Sequence, residues 1–149
     1  MKGSVPLDKI VLDTNNIISL FLKGDFEYFS HLKFKYKIEV CASLFQIDEL
    51  RDVLTRPESY FVKYLKLPVE EYIDFFKRHS VIYDLDLSYE GIEDSMDNFL
   101  VDTAYAAKAF YIISGDRKVL AKKHVKRIQI ISITQFNKKL KDRLPSTKL

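Results

Sequence analysis

Residues 9–24 read KIVLDTNNIISLFLKG, and this stretch decides the fold. It opens with a short run rich in aliphatic residues, which is typical of a strand. Asp13, Thr14 and Asn15 follow at once, and such polar residues commonly begin a helix. Apolar residues then continue up to Gly24, where glycine favours a helix end. The stretch therefore predicts a strand that leads directly into a helix, with an aspartate at the junction.

The same succession of strand and helix recurs along the chain. Further strands are predicted at 38–41, 111–114 and 128–133, with a short extended segment at 81–83. Further helices are predicted at 25 to about 33, at 43–56 with Ser43 as its cap, and at 95 to about 108 with Ser95 as its cap. Two more helices are predicted within residues 58–80. The last two are predicted at 117–123 and at 134–141, where Thr134 is the cap. This alternation favours an α/β fold with a parallel sheet and helices on both of its faces.

Length and composition predict one domain spanning residues 1–149, with a frayed tail after about residue 144. Hydrophobic residues at 47% and charged residues at 30% exclude a disordered or fibrous chain. The lone Cys41 lies in an apolar run, which fits a reducing compartment. No apolar run reaches the roughly 18 residues of a spanning helix, and no signal peptide opens the chain. We therefore expect a cytoplasmic protein without a membrane partner.

Charge is distributed unevenly, although its sum is only +3. From Arg117 to the end there are eleven Lys or Arg residues and one acid, whereas residues 81–102 carry seven acids and no base. A basic tail alone is equally well explained as solvated surface. Beside an acidic site, a basic strip suits a phosphate backbone, because each contact with Lys or Arg releases condensed counterions. The predicted contacts to nucleic acid are Arg117, Lys118, Lys122 and Lys123.

Four acids lie where a predicted strand ends or in the helix that follows: Asp13, Glu49, Asp97 and Asp116. In open parallel sheets, ligands bind at the carboxyl ends of the strands, so these side chains are expected to converge there. Clustered carboxylates need a cation, and oxygen ligands favour Mg²⁺ or Mn²⁺. The histidines are scattered and do not predict a zinc site. Singly, each acid is better explained by an ordinary structural role: a helix cap for Asp13, a helix first turn for Asp97 and a turn for Asp116. Glu49 alone is explained as a solvated helix residue near Arg51 and Arg56.

The segments 10–15, 48–57 and 97–116 resemble, in order and spacing, the successive motifs of PIN-domain ribonucleases. They are most similar to the branch of toxin components of toxin–antitoxin pairs. The resemblance implies a three-layer α/β/α sandwich and a Mg²⁺- or Mn²⁺-dependent endoribonuclease. It also implies a homodimer with an antitoxin partner. The metal ligands it implies are Asp13, Glu49, Asp97 and Asp116, supported by Thr14 and Asn15.

One position departs from the family pattern. Many members carry two consecutive acids at the start of the third motif, and here Met96 stands at the first of them. Asp97 is the expected ligand because it begins the predicted helix. Asp94 and Asp102 are the alternative metal ligands, either in place of Asp97 or in addition to it.

Two other functions are compatible with parts of the pattern. A phosphatase of the haloacid dehalogenase type also begins with an Asp after a strand, but it needs a second Asp where this chain has Asn15. A non-catalytic PIN-fold protein that binds RNA or a protein partner is the remaining alternative. The presence of all four acids favours catalysis over that alternative.

Overall fold

In the computed structural model, which describes residues 8–56, 62–85 and 98–143, strands and helices alternate along the chain. The strands are β1 (Lys9–Leu12), β2 (Glu39–Ser43), β3 (Val81–Tyr83), β4 (Tyr111–Ile113), β5 (His124–Val125) and β6 (Ile128–Ile131). The helices are α1 (Thr14–Leu22), α2 (Phe26–Ser30), α3 (Leu44–Thr55), α4 (Val69–Arg78), α5 (Asn98–Ala107), α6 (Arg117–Ala121) and α7 (Ile133–Arg143). A π-helical turn (His31–Lys35) extends α2.

The strands form one sheet in the order β3-β2-β1-β4-β6-β5. All neighbouring strands are parallel except β5, which pairs antiparallel with β6 at the edge. β1 lies between β2 and β4, so the carboxyl ends of these three strands lie side by side. The predicted parallel sheet is confirmed. The two-residue strand β5 was not predicted, because a segment so short has no periodicity to read.

Alternate residues of the central strands divide between two cores. Ile10 and Leu12 are buried with side chains from α1, α2, α3, α4 and α7, whereas Val11 is buried with side chains from α5 and α6. The same alternation separates Ile113 from Ile112 in β4. Because successive side chains of a strand point to opposite faces, the sheet is covered on both sides. The α/β sandwich with helices on both faces is therefore confirmed.

The last helix begins earlier than the sequence predicted. Ser132, rather than Thr134, caps α7: its Oγ accepts from the Gln135 N–H at 3.1 Å, and Gln135 Oε1 accepts from the Ser132 N–H at 2.9 Å. This reciprocal pair is a capping box, which stops β6 at Ile131 instead of residue 133. The predicted cap at Thr134 was wrong, because the serine two residues earlier has the matching glutamine.

Parts of three predictions lie outside the described residues. They are the cap at Ser95, residues 58–61 of the predicted helical region, and the frayed tail after about residue 144. The rest of that helical region holds a single 3₁₀ turn (Val62–Tyr64) followed by α4. No helix in the described parts of the chain has the length and apolar character needed to cross a membrane.

Candidate active site

Asp13 lies at the junction of β1 and α1 and is held from two sides. Its Oδ1 accepts from the Asn15 N–H at 3.3 Å, which makes Asp13 the N-cap of α1. Its Oδ2 accepts from the hydroxyl of Ser114 at 2.7 Å, and its own N–H donates to the Ile113 carbonyl at 2.8 Å. The carboxylate is therefore fixed between the ends of β1 and β4.

Ser114 connects two of the predicted acids. It is fully buried, and besides donating to Asp13 its Oγ accepts from the Asp116 N–H at 3.1 Å. Asp116 in turn caps α6, because its Oδ1 accepts from the Lys118 N–H at 2.8 Å. One buried hydroxyl thus links Asp13 to the backbone that presents Asp116.

Glu49 reaches the same junction from α3. The hydroxyl of Thr14 donates to its Oε1 at 2.5 Å. Gln46, one turn earlier in α3 and almost fully buried, donates through Nε2 to the Leu12 carbonyl at 2.6 Å and to Thr14 Oγ1 at 3.4 Å. These bonds tie α3 to the end of β1, so Glu49 is positioned next to the Asp13 segment.

The helix that carries Glu49 begins where the sequence predicted. Ser43 Oγ accepts from the Gln46 N–H at 3.3 Å. In a capping box the glutamine side chain would accept a hydrogen bond from the backbone N–H of the cap residue. Here the side chain of Gln46 instead donates to the Leu12 carbonyl in β1. Gln46 and Ser114 were not predicted as site residues. Each had one signal: Gln46 is polar on an otherwise apolar helix face, and Ser114 ends a buried strand immediately before Gly115-Asp116.

The side-chain oxygens of Asp13, Asp116 and Glu49 accept hydrogen bonds from neutral hydroxyls and backbone amides. Neutral donors orient a carboxylate without cancelling its charge, so this donor set fits a hard divalent cation. Within residues 8–56, 62–85 and 98–143, however, no three His, Cys, Asp or Glu side chains already form a group that could hold one ion. Asp97 and its alternative Asp94 lie outside the described residues.

Asp102, the other alternative, is half-buried in α5. Its Oδ1 is buried and has no hydrogen-bond partner among the described residues, and burial raises the pKa of its carboxyl. Leu100, Ala104 and Ala107 line the core face of this helix. Two residues after Leu100, Asp102 lies about 200° around the helix from it, away from that face. None of its described contacts joins it to Asp13 or Asp116.

The two asparagines after Thr14 have different surroundings. Asn15, predicted to support the site, is exposed, and its backbone N–H provides the bond to Asp13. Asn16 has a buried Oδ1 with no partner among the described residues. The structure therefore places a buried amide oxygen one residue beyond the predicted supporting residue.

The predicted RNA contacts fall into two pairs. Arg117 and Lys118 are exposed in the first turn of α6, directly after Asp116. Lys122 and Lys123 are exposed just beyond its last residue. Two apolar side chains that were not predicted also lie at the start of α3: Leu44 is 58% exposed and Phe45 is 45% exposed. Phe45 is one helical turn before Glu49 on the same face of α3.

Comparison with known families agrees with this geometry. A family model described as PIN domain matches residues 9–118, from β1 into α6. No curated protein matches the chain. PIN domains are typically nucleases and generally use divalent metal ions. The matched segment covers most of the chain and contains every acid discussed above, and we conclude that this chain belongs to the PIN-domain family.

Proposed function

We propose that this protein is a Mg²⁺- or Mn²⁺-dependent endoribonuclease that hydrolyses RNA phosphodiester bonds. The observation that carries the proposal is the hydroxyl-linked acidic edge, in which Ser114 joins Asp13 to Asp116 and Thr14 holds Glu49. Membership of a family of nucleases supports it. So does the position of these acids at the carboxyl ends of parallel strands, where open sheets bind ligands.

The carboxylates of Asp13, Glu49 and Asp116, together with Asp97, would hold the cation. When bound, such a cation lowers the pKa of a water and stabilises charge on the phosphate oxygens. Ser114 and Thr14 orient the carboxylates in advance, because each donates its hydroxyl proton to one carboxylate oxygen. This preorganisation avoids rearranging the site when substrate arrives.

Side chains around the acidic edge support RNA as the substrate. Arg117 and Lys118 directly follow Asp116, are exposed, and can contact phosphate oxygens. Phe45 flanks Glu49 and presents an exposed aromatic ring on which a base can stack. Unstacked bases are available in single-stranded RNA, so a single-stranded segment fits this edge better than a duplex.

We further propose that the enzyme is the toxin of a toxin–antitoxin pair, acting in the cytoplasm as a homodimer that a small antitoxin protein neutralises. The motif resemblance supports this role. The buried, unpaired thiol of Cys41 fits a reducing compartment.

The test compares the protein with its Asp13→Asn variant. Asparagine is also a good N-cap, so the variant is expected to fold. Purified proteins are incubated with labelled single-stranded and structured RNAs in Mn²⁺, Mg²⁺ or EDTA, and folding is checked by circular dichroism. Cleavage by the unmodified protein that requires metal and is lost in the variant supports the proposal. Asp142→Asn, a change at an exposed carboxylate of α7, is the matched control and should cleave normally.

Retention of full metal-dependent cleavage by the Asp13→Asn variant would refute the site. RNA binding without cleavage in any metal would instead favour the non-catalytic alternative.

A further inference from the structure

Lysine occupies every left-handed, non-glycine position in the described part of the chain. The φ angles are 58° at Lys37, 61° at Lys108, 60° at Lys123 and 53° at Lys126. A side chain with a Cβ adopts this conformation at a conformational cost that glycine avoids. Glycine would therefore be the less strained residue at each position. Residues held in an unfavourable backbone conformation often have a function that offsets the cost.

Three of these lysines lie just before the amino ends of three strands of the sheet: β2, β4 and β6. One row of paired residues crosses the four central strands: Val40, Ile10, Tyr111 and Gln129. Three residues before Val40 is Lys37, three before Tyr111 is Lys108, and three before Gln129 is Lys126. All three lysines are exposed. Four adjacent strands span about 15 Å, because neighbouring strands are about 4.8 Å apart. We refer to these three residues as the amino-edge lysine row.

The row lies at the opposite end of the sheet from the acids. Asp13 follows the carboxyl end of β1, whereas the three lysines precede the amino ends of β2, β4 and β6, so up to about 20 Å separates the two levels along the strand direction. More positive charge lies near it: Arg127 is exposed, and Lys33 borders a cavity of about 300 Å³ together with Lys37. Of the nearby acids, Glu39 accepts hydrogen bonds from the Tyr83 hydroxyl and the Cys41 thiol.

Aromatic side chains accompany the cations at this edge. The Nζ of Lys126 lies 5.4 Å from the ring centroid of Tyr105, and the guanidinium of Arg127 lies 5.5 Å from that of Phe110. Proteins that bind single-stranded nucleic acid without sequence preference commonly combine a basic strip with aromatic rings. Stabilisation of a helix C-terminus by positive charge does not explain the whole row, because Lys126 lies in the turn between β5 and β6.

We propose that the amino-edge lysine row is a second contact surface for the phosphate backbone of the RNA substrate, remote from the acidic edge. This inference rests on the proposed function and adds a substrate property to it. RNA that is long enough to pass from the acidic edge to the opposite edge gains affinity from the row. RNA that covers only the acidic edge does not.

The test uses the triple variant Lys37→Gly, Lys108→Gly and Lys126→Gly in the Asp13→Asn protein, so that binding is measured without cleavage. Glycine adopts these φ angles freely, and the variant should unfold at the same temperature as its parent or a higher one. The triple Asn variant is a second neutral version, because Asn also tolerates left-handed φ. The matched control removes three exposed lysines outside these turns: Lys23→Ala, Lys66→Ala and Lys138→Ala.

Binding of labelled RNAs of about 5 and about 30 nucleotides is measured by fluorescence anisotropy over a range of salt concentrations. For the long RNA, we expect the salt dependence of the binding constant to weaken in the glycine triple. The negative slope of log K against log salt should become less steep by about 2, which is about 0.7 for each of three lost contacts. Its affinity at low salt should fall about tenfold or more, whereas the short RNA and the control triple should be unaffected.

Three results would overturn the inference: no change for the long RNA, an equal loss for both RNAs, or an equal loss in the control triple. Loss of binding to a polyglutamate peptide with unchanged RNA binding would also overturn it and assign the row to an acidic protein partner. Failure of the Asp13→Asn parent to bind either RNA would contradict the proposed function itself, and this result is distinct from the other four.

Discussion

Thr14 and Glu49, separated by 35 positions in the sequence, are joined by a hydrogen bond of 2.5 Å from the threonine hydroxyl to the glutamate Oε1. Thr14 is buried at the start of α1, and the same hydroxyl lies 3.4 Å from the Nε2 of Gln46. A carboxylate on one helix is thus oriented by the first residue of another. The pair fixes the direction of Glu49 relative to Asp13, the residue next to Thr14.

Replacing Thr14 tests whether that orientation matters for catalysis. In Thr14→Ala, Glu49 loses its hydroxyl donor, and we expect kcat to fall about tenfold, which corresponds to about 1.4 kcal/mol in the activation barrier. KM should change little, because Thr14 is buried and out of reach of a bound strand. Thr14→Ser keeps the hydroxyl and should restore most of kcat. Steady-state kinetics of the two variants would contradict this role if both had the kcat of the unmodified protein.

Ser114→Ala removes the hydroxyl that links the two aspartates. The Asp116 N–H would lose its acceptor and Asp13 would lose a donor in a buried position. We expect the free energy of unfolding to fall by about 1–3 kcal/mol, measured by urea denaturation. The concentration of Mn²⁺ that gives half-maximal cleavage should rise as well. An unchanged unfolding curve would show that water replaces the hydroxyl without cost.

Phe45 provides a test of base stacking beside the acidic edge. Its ring is 45% exposed, so Phe45→Ala should leave thermal stability nearly unchanged. Loss of a stacked base should weaken binding of single-stranded RNA by about 1–3 kcal/mol, whereas Phe45→Tyr should bind normally. Tyr64, 47% exposed in the 3₁₀ turn before α4, is the matched control, and Tyr64→Ala should not alter binding. Equal effects of the two alanine variants on RNA affinity would exclude a specific stacking site.

The carboxyl of Asp102 should make the free energy of unfolding depend on pH, and a substitution at this residue can measure its share. Burial raises the pKa of its carboxyl in the folded state above the unfolded value. The folded state is therefore favoured while this group is protonated, and that advantage is lost as pH rises through the folded pKa. Asp102→Asn should be more stable than the unmodified protein at neutral pH, and the difference should shrink as pH falls through the raised folded pKa towards the ordinary carboxyl value of about 4. Urea denaturation across pH measures this, with Asp142→Asn as an exposed control.

A difference between Asp102→Asn and the unmodified protein that stays the same at acid and neutral pH would assign the effect to packing rather than to ionisation.

The sequence allowed the fold to be predicted because its signals are local. The strand that ends at Leu12 and the helix that Ser43 caps were each marked by a few adjacent residues, and both begin and end where the sequence predicted. Parallel strands then leave few choices of topology. The cap of α7 was misplaced by two residues because Ser132 and Thr134 have similar cap preferences, and only the pairing with Gln135 separates them.

The supporting residues of the site were harder to predict, because their partners are distant in sequence. Gln46 bonds to Leu12, and Ser114 bonds to Asp13 across 101 positions. No local pattern identifies such partners until the strand order is known. The ligand role of Asp97, the homodimer and the antitoxin partner stay predictions. They depend on residues outside the described part of the chain or on other molecules.

The position of β1 in the sheet also has a consequence for synthesis on the ribosome. β1 is flanked by β2 and β4, so it gains its second neighbour only after residue 113 has been made. Domains generally fold as units, and Asp13 finds the Ile113 carbonyl and the Ser114 hydroxyl only at that stage. A nascent chain therefore carries an incomplete acidic edge until residues 113 and 114 have been made. For the proposed nuclease, this order of assembly delays a finished acidic edge until β4 has been made and has paired with β1.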